Sequence, residues 1–585
     1  WSSDVCSSDL TMSDSLCPHF PDDTFVIDMV HHNPGEPPFD TAFTDANVLS
    51  SLGFNGQCFK HINAVIDFHD FDGVAPPSEE ESKWLEKMTG QIRSEIHKAK
   101  RAGLNVFYHV DLIILPQRVI EAFKSDICDP ESGKILFSKP ITQELHRHLF
   151  AKIFGKFPEV DGIITRVGEN YLFDTPFHAG NTAVAYEGET FNLWEISQFT
   201  QLVQFLREEI CVKHQRYLIH RTWDIQNNRF HSNPDFYLKV TNPIAAHEKL
   251  FFSIKHTHID FHRYTRWNPC LGKGQHRQVV EVQCQREYEG KGAYPNFSSS
   301  GVIDGFPEGE SSPNLRDFVK SAYFAGIYSW SRGGGWYGPY IHRENEFWVE
   351  LNLRYLTRFL QNPDITESAI FNMVAREDFK LQLDDQHLLY RIAKLSLSAI
   401  LKGKFCKAWD TRPGSEFDKF PTNQWMRDDV LGGWDVLEPV FAYLYHEGLG
   451  EEAMQEKEKA VALWNFLVNL SCDLKIPDNP ELKKVIRASC QYGYRLFSYI
   501  ANGWKTLYLD FRQRQGSPIP DTKIEAGLRE TRLKWMDYLE LKSDYPSCAS
   551  LYRNHGWHWP GTPPPEGFGD ALEDVERRIP KGTVL

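Results

Sequence analysis

The sequence lacks the features that mark several large classes of protein. Its net charge of −15 leaves no basic surface of the kind that a nucleic-acid-binding protein needs. No apolar run approaches the roughly 20 residues of a membrane span. The Gly-x-Ser-x-Gly elbow, the Walker lysine and the Rossmann fingerprint are missing, which argues against a serine hydrolase and against a phosphate or dinucleotide site. We therefore expect no nucleic acid, no membrane and no cofactor among its partners.

The eleven cysteines form no Cys-x-x-Cys pair and no Cys/His spacing typical of zinc ligands. Free thiols suit a reducing compartment, so we expect a cytoplasmic protein; secretion stays open because the native N-terminus is undetermined. The start, Trp1–Leu10, has neither a methionine nor the basic and apolar regions of a signal peptide. We expect residues 1–19 to be an artefactual or disordered leader.

Short apolar runs, rich in β-branched and aromatic residues, recur eight times within the first 335 residues. Most are separated by stretches long enough for a helix, such as Glu79–Arg101. Because parallel strands need crossover connections, this alternation predicts a closed (β/α)8 TIM barrel, which we place at residues 20–362. The predicted strands are Thr24–Val30, Phe54–Lys60, Asn105–Val110, Gly162–Arg166, Arg216–Arg221, Leu250–Lys255, Gln278–Gln283 and Ala325–Trp330.

The strand-like alternation disappears after Asn362, and amphipathic helical patterns replace it. We therefore predict an α-helical C-terminal domain over residues 363–585. Its predicted helices are Gln386–Leu401, Asp429–Glu447, Glu451–Leu470, Glu481–Arg512, Ile524–Leu541 and Ala571–Arg578.

Carboxylates follow the fourth, sixth and seventh predicted strands, namely Glu169, Asp260 and Glu287. Barrel enzymes build their active sites at these C-terminal strand ends. Hydrolysis of a glycosidic bond needs one protonated carboxyl group and one ionised carboxylate. The apolar strand before Glu169 would favour its protonated form, whereas cationic neighbours such as Lys255 would keep the other two ionised. Each acid could instead be a structural partner of a nearby cation, but three at three strand ends favour chemistry.

The stretches Lys255–Phe261 and Val280–Gly290 resemble the strand-six and strand-seven signature of glycoside hydrolase family 67. Enzymes of that family are α-glucuronidases that act on xylan side chains. The resemblance implies that Glu169 is the general acid and that Asp260 and Glu287 activate the attacking water. Since the family inverts, the acid and base carboxyl groups should lie roughly 6.5–9.5 Å apart.

The family holds the carboxylate of its sugar with cations, and two of them match positions here. These are Arg221, the last residue of the fifth predicted strand, and Lys255, the last residue of the sixth. An arginine fork beside an ammonium group suits a uronate. Arg221 could instead form an ion pair with Asp224 or Glu169.

The chain departs from the family at the fourth strand. There the expected lysine is Thr165, with Arg166 beside it on the opposite face. The spacing from Asp260 to Glu287 is also one residue shorter. The resemblance therefore constrains the identity of the sugar less than it constrains the fold and the catalytic residues.

Further side chains are candidates for the sugar subsite. His109, near the end of the third predicted strand, and His258 could bond sugar hydroxyls, although a buried structural histidine is a common alternative. Trp330 and Trp336 flank the Gly-rich end of the eighth strand, and either could form the floor of the subsite. Four alternating residues after the sixth strand lack a second ligand cluster, so we expect no metal. These four are His256, His258, Asp260 and His262.

Together these patterns predict a glycoside hydrolase, and the resemblance implies that it is exo-acting and releases a terminal α-linked sugar, a uronic acid, by inverting acid/base hydrolysis. Its expected partner is an oligosaccharide or a polysaccharide-derived substrate, and a homodimer stays open. One alternative keeps the fold and the acids but takes a neutral or modified α-glycoside. Another is a catalytically inactive carbohydrate-binding barrel.

Overall fold

The fold is known from a computed structural model that describes most of the chain. The described residues are 24–29, 40–170, 172, 174–184, 193–224, 228–283, 289–309, 313–331, 341–415, 425–426, 430–544, 554–555 and 566–579. The predicted leader, 1–19, lies outside them, as do Glu287 and Trp336.

Eight parallel strands close into a barrel, which confirms the predicted fold class. The closure is made by β1, which pairs in parallel with both β2 and β10. Two short strands outside the barrel, β4 and β6, pair with each other in antiparallel. The barrel strands are β1 Phe25–Asp28, β2 Gly56–Lys60, β3 Asn105–Asp111, β5 Gly162–Arg166, β7 Tyr217–Arg221, β8 Leu250–Lys255, β9 Arg277–Gln283 and β10 Phe324–Trp330, and the outer pair is β4 Ile114–Pro116 and β6 His178–Gly180.

Helices connect the barrel strands and then form the C-terminal region. Those up to the end of the barrel are α1 Ala46–Ser51, α2 Glu79–Arg101, α3 Gln117–Ile127, α4 Pro140–Lys156, α5 Leu193–Leu206 (continued by a π-helical turn, Arg207–Lys213), α6 Pro234–Thr241, α7 Ser298–Asp304, α8 Leu315–Phe318 and α9 Phe347–Gln361. Those that follow are α10 Glu367–Met373 (continued by a π-helical turn, Val374–Asp378), α11 Leu383–Lys404, α12 Lys407–Asp410, α13 Trp434–His446, α14 Gly450–Asp473, α15 Pro480–Arg514, α16 Asp521–Asp544 and α17 Phe568–Arg578.

The barrel interior is filled with side chains, because alternate residues of each strand point inward. An aromatic layer closes its N-terminal end. There the Phe25 ring meets the rings of Phe107, Tyr217 and Phe251 edge to face, with centroids 5.1–5.8 Å apart. The packing continues through residues such as Ile164. Among the described residues of the barrel interior, the charged side chains lie towards its C-terminal end.

The helical region packs directly on the barrel. Helices α11, α14, α15 and α16 lie side by side. The Trp348 indole N–H in α9 donates a hydrogen bond of 2.8 Å to the Ser489 hydroxyl in α15. The division of the chain at residues 362 and 363, which falls between α9 and α10, stays a prediction. Among the described helices, none is long and apolar enough to cross a membrane.

Candidate active site

The C-terminal end of the barrel, which we call the mouth, gathers charged side chains from neighbouring strands. Inward positions near the strand ends carry His109 on β3, Arg166 on β5, Arg221 on β7, Lys255 on β8 and Glu281 on β9, and all five are buried. A parallel barrel brings these strand ends to one face, so the sequence-distant charges meet.

The structure corrects the expected orientation of β5. The resemblance implies that position 165 faces the sugar, yet the Thr165 side chain points out of the barrel and shares a hydrogen bond of 2.8 Å with His220 Nδ1. Ile164 fills the interior, and Arg166, two residues on, points the same way. The cation that β5 contributes to the mouth is therefore Arg166.

Arg166 holds two carboxylates at once. Its Nε and Nη2 donate to the two oxygens of Asp111 at 2.8 and 3.0 Å, while Nη1 donates to Glu169 Oε2 at 2.5 Å. Burial disfavours the charged form of Asp111, but Arg166 and His109 outweigh it and hold the pKa of Asp111 well below its usual range. Burial also lowers the pKa of His109 to about 4, so its ring is neutral near pH 7. Glu169 therefore lies beside a guanidinium group and not in the apolar surroundings that we expected.

Gly168 explains how Glu169 reaches the mouth. A Cβ at this position would lie 2.6 Å from the Asp224 Cα and 2.9 Å from the Trp223 carbonyl oxygen. Only a glycine lets the chain after β5 pass this close to the chain after β7. The side chain of the next residue, Glu169, is about one fifth exposed.

Arg221 forms a bidentate ion pair with Glu281 inside the mouth. Its Nε and Nη2 each donate to one oxygen of Glu281 at 2.7 Å, and the Ser253 hydroxyl donates to the same carboxylate at 3.0 Å. Both charged side chains are essentially inaccessible. Burial would raise the pKa of Glu281, but Arg221 and Lys255 lower it to about 2. The partner of Arg221 is therefore Glu281, two strands away, and not one of the local carboxylates considered above.

Lys255 binds the candidate base. Its ammonium group donates to Asp260 Oδ1 at 2.5 Å, and the Phe261 N–H donates to the same oxygen at 3.0 Å. The ammonium also lies 3.8 Å from the ring centroid of Trp223 and 4.6 Å from that of Phe261. Lys255 therefore contacts Asp260 directly, and the ionised state of Asp260 stays a prediction.

His258 belongs to a hairpin-like loop and not to an extension of β8. Its N–H donates to the Arg266 carbonyl oxygen at 3.0 Å, and its Nδ1 accepts from the Arg266 N–H at 3.2 Å. Because β8 ends at Lys255, the strand-like alternation expected beyond it does not form. Within the described part of the chain, no group of three or more His, Cys, Asp or Glu side chains is placed to hold a metal ion.

Three predicted site residues have side chains outside the described part of the structure. Glu287 and Trp336 lie outside the described residues, and Trp330 ends β10 with its side chain also outside them. Three residues that contact cations of the mouth were not singled out from the sequence, namely Asp111, Glu281 and Trp223. A glutamate between two valines of a buried strand was the signal for Glu281, since a buried charge needs a partner.

Comparison with known proteins finds similarity in structure only. No family model and no curated protein matches the chain. A GH138 enzyme targeting pectin rhamnogalacturonan II superposes with a TM-score of 0.56 at 11% identity, covering 95% of this chain and 83% of that one. A mutant O-GlcNAc hydrolase of Thermobaculum terrenum matches with a TM-score of 0.35 at 10% identity, over 95% and 94% of the two chains. The family 5 glycoside hydrolase PbGH5A of Prevotella bryantii matches with a TM-score of 0.32 at 12% identity, over 57% and 96%. The first of these shows that the chain shares the fold of a known glycoside hydrolase.

Proposed function

We propose that the protein is an exo-acting glycoside hydrolase that releases a terminal α-linked sugar with inversion. The observation that carries the proposal is the placement of Glu169 and Asp260 at the ends of β5 and β8, in one barrel mouth, each bound by a different cation. Two carboxyl groups with separate environments are what glycoside hydrolysis requires. The shared fold with the GH138 enzyme and the resemblance to family 67 support the same chemistry.

The resemblance assigns the two roles, with Glu169 as the general acid and Asp260 as the base. Arg166 is shared between Glu169 and Asp111. Asp260 is bound by the Lys255 ammonium and by the Phe261 N–H.

The reaction then needs one step. Glu169 gives its proton to the glycosidic oxygen as the bond from that oxygen to the anomeric carbon breaks. Asp260 takes a proton from a water that attacks the anomeric carbon from the opposite face. Lys255 and the Phe261 N–H orient the Asp260 carboxylate for this transfer. The resemblance adds Glu287 as a second group acting on the water.

For the identity of the sugar, the contacts favour a neutral or modified α-glycoside over the uronic acid that the resemblance implies. Arg221 and Lys255, which the resemblance assigns to the sugar carboxylate, and Arg166, the cation that β5 contributes to the mouth, each already bind a carboxylate of the chain. A uronate would add another negative charge, and burying it without a cation of its own is costly. The pairs in question are Arg166 with Asp111 and Glu169, Arg221 with Glu281, and Lys255 with Asp260.

Glu169→Gln tests the assignment of the acid. Loss of the proton donor should lower kcat on natural glycosides by about 10²–10⁴-fold, and by much less on aryl glycosides whose leaving group needs no proton. Glu209→Gln is the matched control, because Glu209 is also a glutamate bound by an arginine, Arg147, away from the mouth. Equal losses on both substrate types, or none, would show that Glu169 is not the acid.

Substrate screening decides the sugar and the stereochemistry. Kinetics on matched uronosides and neutral α-glycosides should show a preference for the neutral sugar, and proton NMR should show the β-anomer as the first product. The uronic acid assignment is correct if the uronoside is preferred and if Arg221→Ala lowers kcat/KM for the uronoside, but not for the neutral glycoside, by the equivalent of roughly 2–4 kcal/mol. If the protein binds oligosaccharides but hydrolyses none, it is a carbohydrate-binding barrel.

A further inference from the structure

Helix α16 carries apolar side chains on two opposite faces. One face packs on α15, where the Tyr538 hydroxyl shares a hydrogen bond of 2.6 Å with Tyr492 and the Thr531 hydroxyl shares one of 3.3 Å with Thr506. The other face is exposed, and a helix that packs on one side only is normally polar towards solvent. The apolar side chains on this second face are therefore not explained by the packing of the helix.

Three large apolar side chains form a stripe along the exposed face. Leu533 is 64% exposed, Met536 54% and Leu539 37%. Because they recur at every third residue, they lie beside one another on one side of the helix. Single exposed apolar residues are common on protein surfaces, but an aligned group of large ones marks an interaction surface.

Two opposite charges flank the stripe at equal distances from its centre. Arg532 lies four residues before Met536 and Glu540 lies four residues after it, and both are exposed. Arg532 pairs with Glu576 of α17 at 2.7 Å, whereas Glu540 forms no ion pair with another described residue. Since eight residues span about 12 Å along a helix, Arg532 and Glu540 lie too far apart to pair with each other within one chain.

The exposed face becomes complementary when α16 meets its own copy in antiparallel. In a two-fold pair centred on Met536, a residue before Met536 lies level with the residue equally far after it in the partner subunit. Leu533 is then level with Leu539 of the partner subunit, and Arg532 with Glu540 of the partner subunit. The pairing therefore covers the apolar stripe from both sides and adds an Arg–Glu ion pair at each of its ends.

We propose that the exposed face of α16 is a two-fold interface whose partner is a second copy of this chain. The order of the charges favours a second copy over a different protein, because a two-fold interface must be complementary to itself. With a net charge of −15, two copies repel each other at long range. The exposed cations Arg529 and Arg532 reduce that repulsion on this face.

Sedimentation velocity of the 585-residue chain over about a hundredfold range of concentration tests the interface. The wild type should form a dimer that dissociates on dilution, because one pair of helices buries little area. Met536→Glu places two carboxylates at the two-fold axis and should be monomeric at every concentration. A wild type that stays monomeric, or a Met536→Glu variant that dimerises as the wild type does, would overturn the proposal.

Exchange of the two charges tests the antiparallel alignment. Arg532→Glu and Glu540→Arg each place like charges level with one another at both ends of the stripe, so each should raise the Kd of the dimer by about tenfold. The double variant Arg532→Glu/Glu540→Arg should restore the wild-type Kd, although it does not restore the contact with Glu576.

Lys523→Glu is the matched control for the charge exchange. It makes the same change of charge as Arg532→Glu at an exposed position of α16, ten residues before Leu533 and away from the stripe, and should leave the Kd unchanged. A double variant that binds no better than the single ones would refute the alignment. An equal rise of the Kd in Lys523→Glu would refute it as well, because net charge alone would then explain the effect.

Discussion

Asp111 should control the pH range over which the enzyme works. It shares Arg166 with Glu169, so its negative charge offsets the pull of the guanidinium on the Glu169 carboxyl group. Asp111→Asn keeps a hydrogen-bond acceptor and removes that charge, which makes the proton on Glu169 easier to lose. Two charges about 4 Å apart interact by about 4 kcal/mol at an effective dielectric constant of about 20, or about three pH units, and charges on two sides of one guanidinium interact by less than this. Allowing for solvent at the partly exposed Glu169, we expect the basic limb of the pH–rate profile to move about 1–2 units lower.

The assay is the pH dependence of kcat/KM on an unactivated glycoside between pH 4 and 9. Asp161→Asn is the control, because Asp161 precedes the same strand, β5, at the opposite end and pairs there with Lys100. It should leave both limbs in place. A basic limb that stays fixed in Asp111→Asn, or moves to higher pH, would refute the shared-guanidinium argument even if activity falls.

Three further outcomes follow from the contacts in the mouth and the core. Glu281→Gln leaves the buried Arg221 without its carboxylate, so it should lower the free energy of unfolding at pH 7 by about 3–5 kcal/mol in denaturant titrations. The pKa of Glu281 is lowered to about 2, so the difference from the wild type should reach its maximum above about pH 4.5 and decrease as the pH falls towards 2. Lys255→Gln removes the ammonium from Asp260 and should raise the acidic limb of the pH–rate profile by about one unit or more; an unmoved limb would mean that Asp260 is not the base. Burial lowers the pKa of six histidines to about 3 or 4, so these side chains take up protons when the protein unfolds below about pH 6.5. The free energy of unfolding should therefore be highest above about pH 6.5 and fall towards pH 4 by about 1.4 kcal/mol per pH unit for each proton taken up. A denaturant midpoint that stays constant over this pH range would contradict the prediction. These histidines are His109, His146, His178, His220, His231 and His256.

The strands were predictable because each is a compact β-branched or aromatic run between turn signals. Gly162–Arg166 and Leu250–Lys255 have the bounds that the sequence predicts. Helix α2 also begins and ends as predicted, with Ser78 capping its first turn. The pair β4 and β6 was missed, since strands of three residues are too short to show a period.

The partners within the mouth were less predictable than the strands. Whether Thr165 or Arg166 faces inward depends on the register of the strand in the barrel. A shift of that register by one residue exchanges the inward and outward faces. The pairing of Arg221 with Glu281 spans β7 to β9 and skips β8, so it depends on the tilt of a closed barrel and not on local sequence. Strand ends could therefore be read from the pattern, as could the local contact of Lys255 with Asp260, but the ion pairs between strands could not.

The ring of Tyr294 ties the barrel to its helical neighbour. It lies soon after β9 and packs against Trp464, Tyr492 and Phe497 of α14 and α15, with centroids 5.6–6.2 Å apart. A chimera that joined this barrel to a foreign helical domain would lose that enclosure, and the segment after β9 would lose its support. Separating the barrel from its helical neighbour should therefore expose these rings and destabilise both parts.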